Sequence, residues 1–203
     1  MKIYIGISPN SNYFSCENIQ NYLDYLSSVN KDDVTDVAFL IGDSPYVITY
    51  SVLKNVSITF AMEIMDRIGS SKQKCIEKVL KKKVYNFNVK IIRYKELVNR
   101  PFYKKLYNKV VKLYDTNSEF RNDIREQVLH NLKIREELNS DKLKLLDLYV
   151  LDEIAGLLTM SEDLEYTIEI YPKEDLFILQ YIMKGKYNLL KRYKREFWQL
   201  EFE

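Results

Sequence analysis

The constraint that decides the fold class lies in residues 3–41. A short β-branched and aromatic run, Ile3-Tyr4-Ile5, ends on Gly6 and passes into the polar stretch Ser8-Pro9-Asn10-Ser11-Asn12. Ile19, Tyr22, Leu23 and Leu26 then recur at helical spacing from about Cys16 to Val29, with an end near Asn30. Val34 to Ile41 reads as a second, largely buried strand, closed by the turn Gly42-Asp43-Ser44-Pro45. Strand, helix and strand in this order predict a parallel sheet with a right-handed crossover. In such sheets ligands gather beyond the carboxyl ends of the strands. The loop after Gly6 is therefore the first candidate site and Ser8 its first candidate residue. Read locally, the same residues also fit a plain strand-to-helix turn in which Ser8 or Ser11 caps the next helix.

A chain of 203 residues, 46% of them apolar, fits one domain over 1–203 with a substantial core and leaves no room for a second catalytic domain. The net charge of +2 is silent about partners until its distribution is known. Cys16 and Cys75 lack metal-ligand spacing, and neither a disulfide framework nor a metal site is expected. No apolar run is long enough to span a bilayer, and Met1-Lys2 leads straight into the first strand without space for a signal peptide. A cytoplasmic protein is expected.

Further along, helix is predicted from about Val47 to Val84, broken near Gly69-Ser70-Ser71. Between residues 72 and 83, Lys72, Lys74, Lys78, Lys81, Lys82 and Lys83 stand against Glu77 alone. Such a stripe is either solvated helix surface or a landing surface for RNA phosphates. Val89 to Tyr94 has the content of a third strand, and Lys95 to Asp115 and Asn117 to Leu138 read as helices. The second carries His130, the only histidine, which receives no role.

Asp141 is the expected cap of a helix starting at Lys142, on which Tyr149 and Glu153, at i and i+4, share one face among Leu145, Leu146, Val150 and Leu157. A carboxylate so placed is at least partly buried and needs a partner or a use, unless it turns to solvent beside a rim tyrosine. Tyr166 to Pro172 reads as a strand, Asp175 to Met183 as a helix, Lys184 to Arg195 as a second basic stretch, either a phosphate-binding surface or, the favoured reading, a solvated terminal helix, and Trp198 to Glu203 as a last short strand. By strand periodicity Tyr4 and Gly6, before Ser8, and Glu169, two before Tyr171, are candidates to line a side-chain pocket that is not purely apolar.

Taken together, Gly6-Ile7-Ser8-Pro9 running into Asn10-Ser11-Asn12-Tyr13-Phe14-Ser15, and Tyr149 and Glu153 on a late helix, resemble two hallmarks of the cyclodipeptide synthases. Asp43-Ser44-Pro45 with Thr49-Tyr50 resembles the second block of that family, with Gly42 where a proline is usual, and Tyr171-Pro172 resembles its third block. Ser11 where one branch has Asn, together with Tyr171-Pro172, resembles the branch marked by Tyr-Pro. The resemblance implies a single Rossmann-like α/β domain, a parallel sheet flanked by helices as in class I aminoacyl-tRNA synthetases of the tyrosine and tryptophan kind.

The activity it implies is ATP-independent transfer from two aminoacyl-tRNAs, through an aminoacyl-Ser8 and then a dipeptidyl-Ser8 enzyme, to a cyclic dipeptide. Tyr149 and Glu153 would hold the α-amino group, with Glu153 and Tyr171 as proton handlers. Gly6, Ser11, Tyr4, Glu169 and Pro172 would bind the aminoacyl group and the six lysines the tRNA. No cofactor, metal, DNA or membrane is expected, and a monomer is. A non-catalytic RNA-binding module would account for the lysines alone. A serine esterase would need a second glycine after Ser8, where Asn10 stands.

Overall fold

The computed structural model describes residues 1–29, 33–132, 139–190 and 195–202. Its strands β1 (Lys2–Ile7), β2 (Asp36–Ile41), β3 (Asn88–Arg93), β4 (Ile168–Tyr171) and β5 (Glu196–Gln199) pair in parallel in the order β3-β2-β1-β4-β5. Helix α1 (Cys16–Val29) joins β1 to β2, and α2 (Asp43–Lys54) and α3 (Ile58–Leu80) lead to β3. The return to β4 runs through α4 (Tyr94–Leu97), α5 (Pro101–Thr116), α6 (Ser118–Leu132) and α7 (Ser140–Glu162), and α8 (Phe177–Met183) precedes β5.

Both faces of the sheet are covered, so the central strands read as continuous apolar runs. Ile3, Ile5 and Ile7 of β1, with Val37, Phe39 and Ile41 of β2, pack against α1 and the second half of α3. Tyr4, Ala38 and Leu40 turn the other way, toward α2 and α4 through α8. The chain moves outward from β1 to β3, then crosses back to lay β4 on the free side of β1. That reversal makes the boundary between β1 and β4 the switch point at which open α/β sheets bind ligands. Ser8 follows β1 directly, and Pro172 follows β4.

Several local expectations change. The predicted break at Gly69 is absent; α3 runs through it, and the real break is at Asn55, which ends α2 in the left-handed conformation, before Ser57 caps α3 at the Phe60 amide. Gly69 has another use: a Cβ there would lie 2.6 Å from Arg93 Nη2, so the helix can approach the buried Arg93–Asp43 pair only without a side chain. Helix α3 also stops at Leu80, leaving Lys82 and Lys83 beyond its end. Helix α7 starts earlier than expected because Asn139, not Asp141, caps it, accepting from Lys142 N at 2.9 Å. Lys133 to Leu138 of the predicted helix Asn117 to Leu138 lie outside the described residues.

In the predicted terminal helix Lys184 to Arg195, residues 184–187 form a turn, 191–194 lie outside the described residues, and Arg195 is buried. Cys16 and Cys75, 59 residues apart, form a disulfide with their Cα atoms 5.4 Å apart, against the expectation of none. It fastens the start of α1 to α3, a pairing that no sequence spacing announces.

Candidate active site

Register brings the site together. Tyr4 aligns with Ala38 and Glu169, Gly6 with Leu40, Glu169 with Phe197, and Tyr171 with Gln199. Strand alternation therefore turns Tyr4, Gly6, Leu40, Glu169, Tyr171 and Phe197 to one face of the sheet. A cavity of about 730 Å³ opens there, lined by Ser8, Tyr46, Tyr149, Glu153, Tyr171 and Arg195 among others. Gly6 keeps it open: a Cβ at this position would meet the Tyr171 ring at 3.3 Å and Glu169 Oε1 at 3.6 Å.

Ser8 and the Tyr171 phenol line the cavity together. Burial first, and then the Glu153 carboxylate, raise the Tyr171 pKa well above the usual phenol range, against the Ser8 hydroxyl, which acts to lower it. Tyr171 is therefore a neutral hydroxyl at pH 7, able to orient Ser8 and donate but not to act as a resident base. Tyr149 is hydrogen-bonded to Glu153 one turn further along α7, and burial raises its pKa in turn. Glu153 Oε2 is sealed from solvent and has no hydrogen-bond partner among the described residues. Burial pushes the Glu153 carboxyl up to about 7, opposed by the Tyr149 hydrogen bond and reinforced by Glu169 and Asp152. A group titrating there exchanges protons readily at neutral pH.

The pocket candidates divide. Gly6, Glu169 and Pro172 line the cavity. Tyr4 is fully buried behind it and donates to Glu169 Oε2, so it acts through Glu169. Ser11 stays outside: its hydroxyl accepts from Tyr13 N at 3.3 Å and caps a 3-10 turn, Asn12–Phe14.

The six lysines divide as well. Lys72 is half-buried and donates to the carbonyls of Phe14 (2.8 Å) and Ser11 (3.3 Å), tying α3 to the loop after β1. Burial lowers its pKa. Lys83 pairs with Asp24 at 2.7 Å. Lys74, Lys78, Lys81 and Lys82 are exposed, and Lys74, Lys78 and Lys81 follow one another at three- and four-residue intervals along one outer face.

Two cavity residues had no forewarning. Tyr46 opens α2 and is hydrogen-bonded to Asn10 across the loop. Its place just after Pro45, in the second family block, is the signal that could have found it. Arg195 had no such signal, being one cation in a basic stretch, yet it is 9% exposed and grips Glu169 and Asp175. His130 sits exposed at the rim, 3.8 Å from Glu174. Among the described residues no His, Cys, Asp and Glu cluster could hold a metal ion, and no helix is long and apolar enough to cross a membrane.

Residues 2–196 match the model of the cyclodipeptide synthase family. The chain belongs to that family. Among solved structures, a cyclodipeptide synthase from Staphylococcus haemolyticus superposes with a TM-score of 0.77 at 18% identity, covering 96% of this chain and 88% of that one. One from Candidatus Glomeribacter gigasporarum, bound to Phe-tRNAPhe, superposes at 0.68 with 22% identity over 97% of this chain and 86% of that one. A Mycobacterium tuberculosis protein that demonstrates the relation of cyclodipeptide synthetases to type I tRNA synthetases superposes at 0.73 with 15% identity, over 96% and 82%. At such identities the likeness establishes the Rossmann-like fold. Among curated proteins no sequence relative is found.

Proposed function

We propose that this member of the family, a tRNA-dependent cyclodipeptide synthase, works by two acyl transfers centred on Ser8. The observation that carries the reading is the cavity shared by the Ser8–Tyr171 pair and a sealed Glu153 oxygen with no partner among the described residues. A buried acceptor of that kind calls for a cationic donor, and the α-ammonium of an aminoacyl group is one. An esterase or a passive RNA-binding module has no use for it.

In the first half, Ser8 Oγ attacks the ester carbonyl of one aminoacyl-tRNA while Tyr149 and Glu153 hold its ammonium. The bond to the ribose oxygen breaks, the Ser8 proton leaves with that oxygen, and an aminoacyl-Ser8 ester remains. In the second half, Glu153 takes a proton from the ammonium, and the freed amine attacks the ester of a second aminoacyl-tRNA. This gives dipeptidyl-Ser8 and a second free tRNA, whose ribose oxygen takes up the proton that the amine loses on forming the amide. The new terminal amine then attacks the Ser8 ester and closes the diketopiperazine; the proton this amine loses passes through the Tyr171 hydroxyl to Oγ, restoring the serine and leaving Tyr171 neutral. The substrate arrives activated as an ester, so no step needs ATP.

Gly6, Glu169 and Pro172 bound the first aminoacyl group, and Lys74, Lys78, Lys81 and Lys82 supply phosphate contacts for tRNA. Ser11 and Tyr171-Pro172 assign the chain to the Tyr-Pro branch, with Ser11 acting through the shape of the loop. The protein works as a monomer in the cytoplasm, where charged tRNA is present. The test is mass spectrometry of the protein incubated with charged tRNA. Ser8 gains one aminoacyl group and a cyclic dipeptide accumulates; Ser8→Ala shows neither, and an adduct or product in that variant overturns the assignment.

A further inference from the structure

Beneath Gly6 the cavity ends on a buried ionic cluster that the chemistry above does not use. Glu169 is 5% exposed, and its Oε2 accepts from Tyr4 and from Arg195 Nε (2.9 Å) and Nη2 (2.5 Å). Arg195 also donates to Asp175, through Nη1 at 2.8 Å and Nη2 at 2.7 Å. Among the described residues of this cluster, two carboxylates, Glu169 and Asp175, face one guanidinium. Glu169 Oε1 is the oxygen on the Gly6 side, 3.6 Å from where a Gly6 Cβ would lie, and Glu169 lines the cavity. Phe197, whose ring centroid is 5.2 Å from Arg195 Cζ, joins Leu40 and Leu157 in an apolar wall beside this acceptor.

We propose that this end of the cavity selects, for the first aminoacyl group, an apolar stem tipped with a hydrogen-bond donor, which Glu169 Oε1 receives. The inference rests on the reading of Ser8 as the acylated residue. An apolar side chain of the same shape would bring Oε1 no donor, and a site built to receive a donor rejects the analogue that lacks one far more strongly than an apolar pocket rejects a small change of size. An acidic side chain would meet the two carboxylates. Arg195 is a positioning residue: it pins one oxygen of Glu169 and so aims the other.

The test measures the rate of Ser8 acylation by mass spectrometry with charged tRNAs in near-isosteric pairs, tyrosyl against phenylalanyl, threonyl against valyl, and lysyl against methionyl. In at least one pair the donor-bearing member acylates about tenfold faster or more. In Glu169→Gln that ratio falls toward one, and in Arg195→Gln it changes, whereas partial loss of fold slows both members of a pair alike. If apolar members acylate as fast as their partners in every pair, or if Glu169→Gln keeps the wild-type ratio, the selectivity assignment is overturned while Ser8 chemistry stands. If no charged tRNA acylates Ser8, both fall together.

Discussion

Two buried carboxylates near the carboxyl edge of the sheet are treated in opposite ways. Asp43, 3% exposed, accepts from Arg93 Nε at 2.6 Å, and the same guanidinium reaches Ser70 Oγ at 3.1 Å and Asp66 Oδ1 at 3.0 Å. Glu153 has the Tyr149 phenol, and its second oxygen is left bare among the described residues. The first arrangement compensates the burial of charge and fastens the ends of β2 and β3 to α3. The second leaves Oε2 uncompensated among the described residues. The difference separates a carboxylate paired within the frame of the site from one left open at the cavity, where the proposed mechanism uses it, although both belong to recognisable sequence blocks.

The comparison breaks most sharply at Glu153. Glu153→Gln lowers the rate of cyclic dipeptide formation from charged tRNA by about 10²–10⁴-fold, in the range of a lost general acid–base group, while the melting temperature holds or rises. Arg93→Met does the reverse. Leaving Asp43 buried and unpaired removes about 3–5 kcal/mol from the urea unfolding free energy, and activity falls only with the folded fraction.

The pH dependence of stability sharpens the contrast. A carboxyl whose pKa is raised to about 7 in the folded protein contributes stability that is fully present below its unfolded value near 4.5 and is lost as pH rises through about 7. Wild type therefore loses up to about 3 kcal/mol from this group between those limits, and Glu153→Gln removes that part of the slope. Thermal melts from pH 4 to 8 check it; parallel curves for the two proteins would put Glu153 in an ordinary solvated environment. The smallest effect is on the outer helix. Lys78→Glu with Lys81→Glu and Lys82→Glu weakens tRNA binding at low salt and flattens its logarithmic salt dependence by about one unit for each phosphate no longer neutralised, measured by filter binding. Lys83→Glu, already paired with Asp24, leaves that slope unchanged.

Much of the architecture is legible in residue spacing. Helix α1 and strands β1 to β3 follow from local periodicity, and Ser8, Tyr149, Glu153 and Tyr171 stand out by motif alone. The departures have particular physical causes. Gly69 reads as a helix stop because its use, making room for Arg93, comes from a residue 24 positions away. Lys72 reads like its five neighbours, but its amine turns inward to two loop carbonyls. Ser11 lies in the right motif but spends its hydroxyl on a turn.

The sequence by itself determined the alternation of strand and helix and singled out the candidate reacting groups, because backbone periodicity and side-chain chemistry are local properties. Tertiary structure alone decided which charges are compensated. Asp43 found Arg93, Glu169 found Arg195 and Cys16 found Cys75, at separations of 50, 26 and 59 residues. Burial then raised two further carboxyls, Asp152 and Glu153, to about 7, and left Glu153 with an oxygen that no described residue satisfies. Pairing and desolvation depend on distance in space, which sequence distance does not encode.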